Sequence, residues 1–97
     1  MSNEPIILEI QSADEVGIKS RLKAIAAGSV ELVDKKNNDG IQSIVAILQA
    51  SAPVIAALSP LIVELIKRGD LRKIRKGQRE IANPSEKQFD AIKQEVS

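Results

Sequence analysis

Apolar and polar positions along this chain fall into blocks of different period. Between Gly40 and Ile66 (GIQSIVAILQASAPVIAALSPLIVELI) Glu64 is the only charged residue, while both flanks are rich in charge. Ile44, Ile47, Leu48, Ile55, Leu58 and Ile62 recur at helical intervals, and further Val, Ile and Leu residues carry apolar character round most of the circumference. The run predicts a long apolar helix over 41–67. Pro53 and Pro60 each free a carbonyl four residues back, at Gln49 and Ala56, and each kinks or ends a helix. One kinked helix and two successive helices both fit: a first segment from about Ile41 to Gln49, a break at Pro53, and a continuation to about Lys67. Asp39 is the expected N-cap, with Gln42 in the capping-box position, and Ser59-Pro60 is an internal start signal. Gly69, behind Lys67 and Arg68, is the expected stop.

The pattern before this run is shorter in period. Pro5 to Ile10 (PIILEI) predicts a strand, its consecutive apolar residues suiting a position with both faces partly covered. SADEV then reads as a capping box, Ser12 with Glu15, opening a helix over 13–27 that ends at Gly28. SVELV, residues 29–33, alternates like a half-buried strand, and DKKNNDG is a polar loop. A helix linking two strands favours a parallel pair. After Gly69, LRKIRKGQREIA reads as two short strands turning at Lys76-Gly77; a helical continuation is the competing reading, and Gly77 favours the hairpin. Asn83-Pro84-Ser85 leads into a last helix over 85–95, capped by Ser85 or Asn83, with Phe89, Ile92 and Val96 on its apolar face. The expected fold is therefore α+β, a small single domain over 1–97: strand, helix, strand, long helix, β-hairpin, short helix. The long apolar helix lies against a small sheet.

Composition narrows the chemistry. The 97 residues contain no Cys, no His and a single aromatic residue, Phe89, with 43% hydrophobic residues and a net charge of +1. Thiolate metal sites and His-dependent nucleophile activation are excluded. The acids are scattered, so the sequence predicts no catalytic, metal or cofactor site and no enzyme. The N-terminus shows no basic segment or long apolar run of a secretory signal, which makes a cytoplasmic location the default.

Two segments carry candidate binding chemistry. As one helix, about 26 residues would extend roughly 39 Å, enough to cross a bilayer. A membrane-active protein inserting 41–66, with its basic flank at 67–79 on anionic headgroups, is thus the alternative reading. Against a span stand the polar residues, the prolines and the lack of Trp and Tyr belts. Within the basic flank, Arg72, Lys73, Arg75 and Lys76 form a candidate phosphate-binding patch. No aromatic residues interleave for base stacking, so a solvated hairpin is favoured over nucleic-acid binding.

The order of elements resembles the effector-associated constant component domains of bacterial conflict systems. The similarity rests on ILEIQSADE, the VELV strand, the charge-poor segment ending in IVELIKRG, and KIRKGQREIANPSEKQFDAI. Two prolines and no aromatic residue on the long segment depart from the family pattern. The resemblance implies a non-enzymatic adaptor that recruits or assembles an effector. Excess apolar surface on 41–66 implies a protein partner or self-association as a homo-oligomer, with Ile44, Ile47, Leu48, Ile55, Leu58 and Ile62 as the contact surface.

Overall fold

The computed structural model describes residues 4–36, 40 and 42–96. Alternation begins at once. In β1 (Ile6–Ile10) Ile6, Leu8 and Ile10 are buried while Ile7 and Glu9 face the other way, as a period of two requires. The chain continues through α1 (Glu15–Ala26), β2 (Val30–Lys36), β3 (Gln42–Leu48), α2 (Ala52–Arg68), β4 (Leu71–Lys76), β5 (Arg79–Ala82) and α3 (Glu86–Val96).

The five strands form one sheet in the order β2-β3-β1-β4-β5, and each neighbouring pair is antiparallel. It follows that β1 and β2 run in the same direction with β3 between them, and β3 and β4 do so with β1 between them. These are two interleaved split β-α-β units, the ferredoxin-like arrangement, extended by β5 and α3. The expected parallel pair is therefore replaced. Lys36 pairs with Gln42, so β2 and β3 are sequential antiparallel neighbours, which need only a short connection.

The long helix over 41–67 is not present. Residues 42–48 form β3, a central strand, and the helix starts at Ala52. A short run that is apolar on both faces reads equally well as a buried helix or a central strand by periodicity. Ile44, Val45 and Ile47 are β-branched and suit a pleated surface, and β3 finds ladder partners on both sides, in β2 and β1. Pro53 lies in the first turn of α2, where its missing N–H removes no helical bond. Pro60 is inside the helix, and Ser59 is not a cap: its hydroxyl donates to the Ile55 carbonyl at 2.8 Å. The expected Asp39 cap and the start at Ile41 lie outside the described residues. Gly69 does end α2, at φ 76°, donating to the Ile66 carbonyl while Asp70 donates to that of Leu65, the paired bonds of a Schellman motif.

The other helix ends follow local chemistry too. At α1 the cap is Asp14 rather than Ser12. The Asp14 carboxylate accepts from the Gly17 N–H at 3.2 Å, and the Ser12 hydroxyl accepts from the Asp14 N–H at 3.1 Å. Gly28 follows the helix without adopting a left-handed conformation. At α3 the Ser85 hydroxyl accepts from the Gln88 N–H, and the Gln88 side chain accepts from the Ser85 N–H, a reciprocal capping box. The β4–β5 loop is Gly77-Gln78 with φ 63° at Gly77, the first-position glycine of a type II′ turn.

All three helices pack on one side of the sheet. Ile6, Leu8, Ile44, Leu48 and Ile74 from the strands meet Ile18, Leu22, Leu58, Ile62, Phe89 and Ile92 from the helices in one aliphatic core. That arrangement leaves the second side of the sheet as a surface.

Candidate functional site

Because side chains alternate, the ladder registers fix which residues share the open side. One row crosses the whole sheet as Glu31, Ile47, Ile7, Arg75 and Glu80. The next reads Val33, Val45, Glu9, Lys73 and Ala82. Four apolar residues thus adjoin one another at the centre of β2, β3 and β1. Ile7, Val45 and Ile47 are half-buried by their neighbours, and Val33 is 44% exposed. A β-branched cluster left part-covered on one side of a regular sheet is a candidate contact surface.

The rim is charged. Lys35 Nζ lies 3.8 Å from Glu9 Oε2, and Lys73 Nζ lies 3.2 Å from Glu80 Oε1. With Glu31 and Arg75, the face carries acids and bases of balanced sign. A shallow depression of about 390 Å³ runs among Ile7, Glu9, Val45, Lys73 and Arg75. An open, charge-balanced face that carries an apolar cluster has the mixed character of a protein-docking surface.

Of the expected contact residues, only Ile47 belongs to this face. Ile44, Leu48, Ile55, Leu58 and Ile62 are buried in the core, so five of the six expected contact residues are not available as a surface. The physical reason is that the small domain covers this segment itself, through the strands flanking β3 and the helices flanking α2. The expected basic patch is divided as well. Lys73 and Arg75 project on the open side, whereas Lys76 projects on the helix side, where its charge acts on Glu95. Arg72 is the extra residue where the β1–β4 register shifts, since Ile10 pairs with Leu71 and Glu9 with Lys73. Ile7, Val33 and Val45 were not singled out by sequence patterning. Their signal is the alternation of β1, β2 and β3, which identifies a face only after β3 is known to be a strand.

Elsewhere the charges pair between elements. Lys19 of α1 meets Asp34 of β2, and Arg79 of β5 meets Glu95 of α3. The Arg79 guanidinium holds the Glu95 carboxyl below the usual carboxylate range by hydrogen bonding, with burial opposing. Arg21 acts on Glu64 in the same way, with Arg68 adding to it. Lys93 Nζ sits 5.7 Å from the centre of the Phe89 ring. Among the described residues no group of three or more acidic ligands could hold a metal ion, and no helix is long and apolar enough to cross a membrane. Comparison with known proteins finds no matching family model, no matching curated protein and no matching solved structure.

Proposed function

We propose that this domain is a non-enzymatic protein-interaction module, an adaptor of the kind that recruits or assembles an effector in bacterial conflict systems, and that it works through its open sheet face. One observation carries the reading: Ile7, Val33, Val45 and Ile47 form a contiguous apolar cluster on the side of the sheet that α1, α2 and α3 do not cover. The resemblance of the segments ILEIQSADE, VELV, IVELIKRG and KIRKGQREIANPSEKQFDAI supplies the biological setting. Insertion of 41–66 into a membrane is the weaker alternative, because it would strip β3 from the centre of the sheet and α2 from the core at once. Nucleic-acid binding is disfavoured by the balanced charge of the open face and the division of the basic residues.

The test compares the wild type with Ile47→Lys and Val33→Asp, both on the open face, and with Ala57→Lys on the exposed side of α2. Each is immobilised, exposed to extract of the source cells, and its retained proteins identified by mass spectrometry. A partner retained by the wild type and Ala57→Lys but lost with both face variants is the expected result. Retention unchanged in the face variants would rule out the sheet face as the binding surface.

A further inference from the structure

We propose that the occupant of the open face is a second copy of this chain, stacked sheet on sheet about a two-fold axis that runs along the strands midway between β3 and β1. This inference rests on the sheet-face reading above and names its partner. The row Glu31, Ile47, Ile7, Arg75 crosses β2, β3, β1 and β4. Its sequence of character is acid, apolar, apolar, base, and it is antisymmetric about the β3–β1 line. A two-fold axis on that line places Ile47 over Ile7 of the second copy and Glu31 over Arg75 of the second copy. Symmetry repeats both contacts, so one operator closes two apolar pairs and two ion pairs.

Two other two-fold placements are worse. An axis along β1 sets Glu9 against Glu9 and Glu31 against Glu80. An axis across the strands between the two rows sets Arg75 against Lys73. Like charges so placed oppose association. In the favoured arrangement the second row puts Val33 under Lys73, whose apolar stem can cover it. It also puts Val45 over Glu9, which is already held by Lys35 and whose side chain is only 17% exposed.

The size of the contact sets its strength. The four overlapping strands span about 19 Å at ~4.8 Å spacing, and their outward residues cover about 20 Å of length, or ~400 Å² on each copy. The total, about 800 Å², is below the ~1,000 Å² that a stable specific interface has to clear, so the dimer is weak and concentration-dependent.

Sedimentation velocity from about 5 μM to 1 mM tests the proposal, with circular dichroism melts to check the fold of each variant. The wild type is expected to shift from monomer to dimer across that range. Glu31→Arg sets two guanidinium groups against each other at both crossed contacts, and Arg75→Glu sets two carboxylates against each other there. Each variant alone should therefore weaken dimerisation by about tenfold or more. The two variants mixed should form a heterodimer, because both crossed contacts then pair opposite charges. Ile47→Gln, which leaves the charges intact, should also weaken the dimer. A wild type that stays monomeric at 1 mM overturns the self-stacking but leaves a different partner on the same face open to the extract experiment. Dimerisation unaffected by the single reversals, or no heterodimer on mixing well-folded variants, overturns this geometry.

Discussion

Glu64 Oε2, on the lone acidic side chain of a 27-residue apolar stretch, lies 2.7 Å from Arg21 Nη1. The contact joins α2 to α1, and Arg68 one turn along α2 approaches the other carboxylate oxygen at 3.3 Å. Because these cations lower the Glu64 pKa in the folded chain, the ionised form stabilises the fold. Its contribution is present above the unfolded carboxylate range and is lost as pH falls through the folded pKa. The urea midpoint of the wild type should exceed that of Glu64→Gln at neutral pH. The gap should close as the solution is acidified. A gap independent of pH would show that packing, not charge, sets the effect.

Core and face residues within 42–62 should respond oppositely to the same substitution. Ile44→Glu, Ile55→Glu or Ile62→Glu places a carboxylate in an aliphatic core and should abolish cooperative unfolding. The milder Leu58→Ala should cost about 2–5 kcal/mol through the cavity it leaves. Ile47→Glu, on the open side, should retain a cooperative melt. Circular dichroism on the set decides it, and an unfolded Ile47→Glu would contradict the assignment of faces.

Gly69 adopts a left-handed conformation with open space around it. Gly69→Ala therefore meets no clash, only the backbone penalty of a Cβ at positive φ, about 1–2 kcal/mol. Gly69→Asn should lose less, because Asn tolerates that region. Chemical denaturation of the two variants checks the order.

The α3 cap depends on both partners of a reciprocal pair. Ser85→Ala should cost about 0.5–2 kcal/mol, and Gln88→Ala should reduce stability in the same direction. A double variant should lose less than the sum, since each side chain orients the other.

Binding of DNA or RNA by Arg72, Lys73, Arg75 and Lys76 should be weak. These side chains do not converge on one side of the hairpin, and Lys73 is engaged by Glu80. Fluorescence anisotropy at low salt should show no sub-micromolar affinity. Tight, steeply salt-dependent binding that disappears when the four are neutralised would reverse this expectation.

Local chemistry accounts for what could be read from the residues alone. β1, the strand expected over 29–33, the glycine turn (expected at Lys76-Gly77, found at Gly77-Gln78), the stop at Gly69 and the α3 cap (Ser85, of the two candidates Ser85 and Asn83) are decided by nearest neighbours in the chain: alternation, positive φ, and side chains reaching adjacent N–H groups. The α+β class follows from them. Residues 42–48 could not be read in the same way. Their two apolar faces satisfy helix and strand periods equally, and only the place between β2 and β1, filled by pairing on both sides, decided for a strand. That single choice turned a supposed contact helix into the centre of the sheet. It buried Ile44 and Leu48, left Ile47 on the outside, and set Ile47 beside Ile7, forty residues away in sequence. Pairing register is a relation between distant segments, so the open face became visible only in the folded structure.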